Sequence, residues 1–225
     1  MKRPDKKNLF LLLLAAFAMV LAVFFVSQQF FRKADLDSVK AALSRLQQED
    51  AYRFSSTARV TAEDKQREYY QVEGEISGQN RHISGQVLGT ELEIYYVDGS
   101  FWQKSAADAA FQKIDAGELE KAVAFAAELE PAAMLDFDQV QTWSFEGREI
   151  IDGSPCRKVT LSQARAGGWV GRYFDRVSYT FWLERGTDRL CQGEVQASSL
   201  SGDILFHAVL HFSDYGKEIS IAPPQ

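Results

Sequence analysis

Apolar residues follow three successive patterns along the chain, and each predicts a different kind of element. From Leu9 to Val26, eighteen residues run without a polar side chain. A helix rises 1.5 Å per residue, so about 20 apolar residues span the ~30 Å hydrocarbon core of a bilayer. Leu36, Val39, Ala42, Leu43 and Leu46 then recur at three- and four-residue steps, one stripe of a helix that starts at Asp35 as N-cap and ends near Gln48. From Arg53 the period drops to two: Phe54, Ser56, Ala58 and Val60 alternate with Arg53, Ser55, Thr57 and Arg59, as in a half-buried strand. Glu68–Ser77, Asn80–Leu88, Glu91–Val97 and Ser100–Lys104 continue the strands, with Gly78-Gln79 and Asp98-Gly99 as hairpin turns.

Helical spacing returns in Glu118–Leu129, where Ala122, Phe125, Ala126 and Leu129 share a face, and Pro131 suits the first turn of a short helix over Ala132–Phe137. Strands resume at Gln141–Ile151, Cys156–Ser162, Asp175–Glu184, Arg189–Ser198 and Asp203–Phe212. Connections this short make them antiparallel. The pattern predicts an α+β fold: one curved antiparallel sheet (a half-barrel) whose apolar, concave face is covered by helices, preceded by one transmembrane helix.

Charge orients that first segment. Lys2, Arg3, Lys6 and Lys7 precede it, which places the N-terminus in the cytoplasm by the positive-inside rule. A cleaved secretory signal is the competing reading, but its apolar region is shorter and ends in small residues, whereas this one ends in Phe24-Phe25-Val26-Ser27. The expected organisation is a cytoplasmic N-terminus (1–7), a transmembrane signal anchor (8–27), a juxtamembrane linker (28–35) and one extracytoplasmic domain (36–225). Either reading puts the domain outside the cytoplasm, on the cell membrane or released from it. Without the six cations and one acid of the first 33 residues, 19 basic and 30 acidic residues remain, a net of −11. That disfavours nucleic acid and adhesion to anionic lipid.

Candidate chemistry is sparse. His207 and His211 stand four apart, but in a strand that is ~13 Å, too far for one ion. No nucleophile elbow, phosphate loop, dinucleotide fingerprint or zinc-protease motif is present, and Gly167-Gly168-Trp169-Val170-Gly171 lies between strands, not between a strand and a helix. The pairs Glu91/Glu93 and Glu118/Glu120 read as solvated faces. The sequence points to a non-enzyme with no cofactor, no metal and no catalytic residue. Cys156 and Cys191 begin two strands separated by a third, so a regular ladder holds them ~9–10 Å apart, beyond the ~7 Å a disulfide tolerates; the expectation is that they are unpaired. The loop Gly167–Phe174 gathers Trp169, Tyr173 and Phe174 beside Arg165 and Arg172, a lid, a partner contact or a hairpin folded onto the core.

The C-terminal stretch Phe212-Ser213-Asp214-Tyr215-Gly216, followed by Ile219, Ile221 and Pro223, resembles the closing strand of the LolA-like superfamily of exported lipid-binding and lipoprotein-carrier proteins, especially its LppX/LprG-type branch. Tyr95-Tyr96-Val97-Asp98-Gly99-Ser100-Phe101-Trp102 resembles that family's hairpin, and the element order agrees over residues 36–224. The resemblance implies a half-barrel closed by helices around an apolar cavity, binding acyl chains or lipoproteins, or sensing envelope state through a protein partner. The branch's lipobox cysteine is absent here and an apolar helix stands in its place, which argues against shuttling between membranes.

Two functions follow as expectations. In one, an acyl chain of a lipid or lipoprotein lies between sheet and helices, walled by Phe54, Tyr96, Phe125, Met134, Tyr179, Phe181 and Phe206. In the other, the core is filled and Trp169, Tyr173 and Phe174 meet another envelope protein.

Overall fold

The computed structural model describes residues 35–224. The expected cytoplasmic N-terminus, the expected membrane span and the expected linker up to residue 34 lie outside the described residues. Among the described residues, no helix is long and apolar enough to cross a membrane.

Helix α1 (residues 35–48) comes first. Five strands follow as a meander: β1 (Ala51–Ala62), β2 (Lys65–Ser77), β3 (Asn80–Val87), β4 (Thr90–Val97) and β5 (Ser100–Ser105), with the two-residue β6 (Gln112–Lys113) at its edge. Helices α2 (Ala116–Leu129) and α3 (Pro131–Met134) lead to β7 (Phe137–Ile151) and β8 (Ser154–Ala166). A turn of helix, α4 (Val170–Tyr173), precedes β9 (Arg176–Glu184), β10 (Leu190–Ser198) and β11 (Ile204–Ser213).

All eleven strands form one open sheet in the order β6-β5-β4-β3-β2-β1-β11-β10-β9-β8-β7, every pairing antiparallel. This order explains the helices. The chain starts mid-sheet at β1, builds outward to the β6 edge, and must then reach the opposite edge to begin β7. It makes that crossing as α2 and α3, over one face of the sheet. The second meander walks back until β11 pairs with β1, Phe54 opposite Phe212 and Ala58 opposite Ala208.

Alternation decides which face the helices cover. Tyr52, Phe54, Ala58, Tyr70, Val72, Ile83, Ile94, Phe101, Tyr179, Phe181, Val195, Phe206, Ala208 and Leu210 are buried on this inner face, with Val39, Ala42 and Leu46 of α1 packed onto it. Fully burying one such side chain is worth about 1.5–3 kcal/mol. Ser56, the polar residue buried among them, donates from Oγ to Tyr70 Oη at 3.2 Å.

The C-terminal segment closes the sheet beside α1. Tyr215 Oη donates to the Leu190 carbonyl at 2.6 Å, Gly216 N to the Ala51 carbonyl at 2.8 Å, and Ser77 Oγ to the Ile219 carbonyl at 2.8 Å.

Three local expectations are corrected. The helix expected over Ala132–Phe137 ends at Met134, because Phe137 joins β7 and packs its ring 5.6 Å from Tyr179. The loop Gly167–Phe174 contains α4. Cys156 and Cys191 do not stand at the expected separation: their Sγ atoms lie 2.8 Å apart, without a bond between them. The ladder is irregular between Leu190 and Gln192, so Cys191 is an extra, bulged residue whose side chain leaves the regular alternation.

Candidate ligand surface on the inner face

The crossing segment plugs the middle of the inner face. Met134 is fully buried and its Sδ accepts from Tyr70 Oη at 2.7 Å. Leu135, equally buried, packs over Gly193, where an added Cβ would sit 3.0 Å from Leu135 Cδ2. Tyr179 Oη donates to the Asp136 carbonyl at 3.0 Å, and its ring stacks on Phe181 with centroids 5.9 Å apart. Arg81 Nε bonds Glu130 Oε1 at 2.9 Å and holds the α2–α3 junction to β3. Burial raises the Glu130 carboxyl above its usual range, and the charge of Arg81 only partly offsets this. The same burial, with Glu130 nearby, pushes Tyr52 up to about 12.

Five of the seven expected wall residues, Phe54, Met134, Tyr179, Phe181 and Phe206, are therefore brought together as packed core around this plug. Tyr96 is half-buried, and Phe125 is 40% exposed on α2. Apolar surface continues on both sides of the plug. Toward β4 it is formed by Val60, Val87, Leu92 and Tyr96 of the sheet, with Leu119 and Ala122 of α2 also packed against the core; toward the β7 edge by Phe137, Val140 and Trp143, all partly buried. Alternation in β3, β4 and β7 marks these positions in the sequence. Their incomplete cover depends on where α2 lands, which no local pattern records.

The lid loop closes one end of this surface. Trp169 meets Phe206 edge-on at 5.2 Å and Phe174 lies 5.4 Å from the same ring, so both fold onto the core. Tyr173 points outward, 71% exposed. The glycines here serve close approach, not phosphate binding: a Cβ on Gly167 would come within 2.0 Å of Asp136 Oδ2, and one on Gly171 within 2.1 Å of the Ala166 carbonyl oxygen. The indole N–H of Trp169 is buried without an acceptor among the described residues.

The outer face is polar. His82 Nε2 lies 3.1 Å from Glu93, His207 Nε2 2.8 Å from Glu194, and His211 Nδ1 3.8 Å from Asp152, so each histidine sits against a carboxylate. Among the described residues, no group of three or more His, Cys, Asp or Glu is placed to hold a metal ion. A groove of about 950 Å³ on this face is bordered by Arg59, Arg165, Arg176, Glu194 and His207.

This architecture, an open antiparallel sheet with a helical crossing over its apolar face, is similar to that of known structures. The structure superposes on LprF from Mycobacterium bovis with a TM-score of 0.54 at 15% identity, covering 84% of this chain and 95% of that one. The Mycobacterium tuberculosis lipoprotein LppX aligns over 84% of this chain and 99% of its own at 11% identity, with a TM-score of 0.49. A LolA superfamily protein from Nitrosomonas europaea aligns over 77% of this chain at 14% identity, with a TM-score of 0.30. The chain thus shares the fold of LprF. No protein-family model matches the sequence, and no curated protein sequence matches it.

Proposed function

We propose that the domain is an extracytoplasmic binding module, tethered to the cell membrane by residues 8–27, that takes an acyl chain between α2 and the inner face of the sheet. The observation that carries this is the apolar surface left beside the plug. Leu92, Val87, Val60 and Tyr96 of the sheet and Leu119 and Ala122 of α2 pack against the core yet are only partly buried, and Val123 and Phe125 of the same helix are 38% and 40% exposed. A helix docked this shallowly can lift and settle on a chain. Each methylene so buried is worth ~0.8 kcal/mol, set against the costs of association and ordering. The orphan donor of Trp169 suits the carboxyl or ester oxygen at the head of such a chain. The fold shared with LprF is consistent with this reading.

Titration of the purified chain with a fluorescent fatty acid tests it. Saturable binding is expected, and it is expected to be lost in Ala122→Trp, which crowds the partly buried face of α2, while the variant still melts cooperatively. Absence of binding to the wild-type chain contradicts the proposal.

A second reading has its own observation. Tyr173 (71% exposed), Leu200 (70%) and Ile204 (43%) are exposed at the end of the sheet where the β8–β9 loop adjoins the β10–β11 turn. Such a patch suits contact with another envelope protein. Tyr173→Ser with Leu200→Ser separates the two: this pair of changes abolishes partner capture and leaves acyl binding intact if the patch serves a partner.

A further inference from the structure

On the outer face, at the ends of β8 and β10, two thiols meet. We propose that Cys156 and Cys191 are a disulfide-forming pair that staples β8 to β10 across the end of β9. Their Sγ atoms are 2.8 Å apart, a contact made possible by the bulge at Cys191. The two differ in access: Cys156 is 1% exposed, whereas Cys191 is only partly buried. Cys191 is therefore the entry sulfur and Cys156 the resolving one. Burial raises both thiols above the ordinary range, and the charges of Glu184 and Asp152 add to it, so exchange through them is slow. The oxidant is a disulfide of another molecule. The Cys191 thiolate attacks one of its sulfurs, forming a mixed disulfide and releasing one thiol. The Cys156 thiolate then attacks Cys191 Sγ, forming the intramolecular bond and releasing the second. Two thiols here are oxidised, the external disulfide is reduced to two thiols, and the two protons pass to the thiols released.

The staple lies at the end of the sheet beside the β9–β10 turn that α1 contacts. Arg157, next to Cys156, bonds Asp35 of α1 at 3.0 Å and Asp188 of the β9–β10 turn at 2.8 Å. Arg45 of α1 donates to the Thr187 carbonyl in the same turn at 2.6 Å. Thr187 Oγ1 and Ser154 Oγ both donate to Glu184, which faces Cys156 across the ladder. Closing the pair fixes the turn on which α1 rests, and α1 is the element that follows the expected membrane segment. The choice of a disulfide as oxidant rests on the extracytoplasmic reading; the pairing itself does not.

Full-length chain, reduced in detergent and desalted, is exposed to oxidised glutathione and analysed by intact and peptide mass spectrometry. The expected product has lost two hydrogens, retains no glutathione, and yields one cross-linked peptide pair joining Cys156 and Cys191. In Cys156→Ser, glutathione is expected to remain on Cys191. Because that variant can misfold, the wild-type reaction is repeated in urea, where the ratio of internal to mixed disulfide should fall at least about tenfold as proximity is lost. Two free thiols after oxidation, stable glutathione adducts on the native chain, or a ratio unaffected by urea overturns the proposal. Alkylation of chain taken directly from cells adds a separate readout. A pair that closes with glutathione yet is reduced in cells upholds the pairing and counts against the extracytoplasmic placement.

Discussion

Individual side chains in this domain are governed by whether they face the plug, the solvent or the chain ends. Asp214 accepts from Lys217 and Arg53, each at 2.6 Å, and these bonds hold its carboxyl below the ordinary value of 3.8. A lowered folded value means stability that is present above pH 3.8 and lost as pH falls through the folded value. Asp214→Asn should therefore flatten the acid limb of the stability profile, measured by urea denaturation between pH 2 and 5 (roughly the carboxylate range). Glu130 behaves oppositely. Its raised value gives a contribution that is full below 4.5 and lost as pH rises through the folded value. The advantage of wild type over Glu130→Gln should shrink as pH rises from 4.5. Trp169→Phe keeps the ring against Phe206 and removes the orphan donor. It should weaken fatty-acid binding by about tenfold, the scale of one hydrogen bond, and leave the melting temperature nearly unchanged.

Among the described helices, α2 is the least buried. Only Ala126 and Leu129 of its fourteen residues are buried, and its N-cap, Asp115, makes no side-chain capping bond. Its amides should exchange with solvent well before those of β1 and β11, which pair along ten successive residues at the sheet centre. Bound acyl chain should slow α2 selectively. The lid loop is the contrary case. Gly171→Ala forces a Cβ against the Ala166 carbonyl and should destabilise the chain by about 1–3 kcal/mol, read from the urea midpoint.

What the sequence made legible follows the same division. Period-two alternation in Val177, Tyr179, Phe181 and Leu183 marked both the strand β9 and its buried face, and Asp98-Gly99 marked the hairpin turn between β4 and β5. Wherever one residue departs from its pattern, sequence reading fell short. The bulge at Cys191 brought two sulfurs into contact that a regular ladder keeps apart. The wall residues were chosen as large and apolar, and that same property draws Phe54, Met134, Tyr179, Phe181 and Phe206 into the packed centre, leaving Leu92, Val87, Ala122 and Val140 at the margins.

At the scale of the whole molecule, chain order accounts for the architecture. A sheet that begins at its own centre must be crossed once from edge to edge, and the crossing segment becomes both the cover and the plug of the apolar face. The plug fills the middle, and the remaining apolar surface lies to either side of it. Cells fed a fatty acid carrying a photoactivatable diazirine, irradiated and then analysed by peptide mapping of the purified full-length chain, test this account most directly. Adducts on α2 and on the inner-face residues of β3, β4 and β7 are the result it predicts. Adducts confined to residues 8–27, or none in the domain at all, would contradict it.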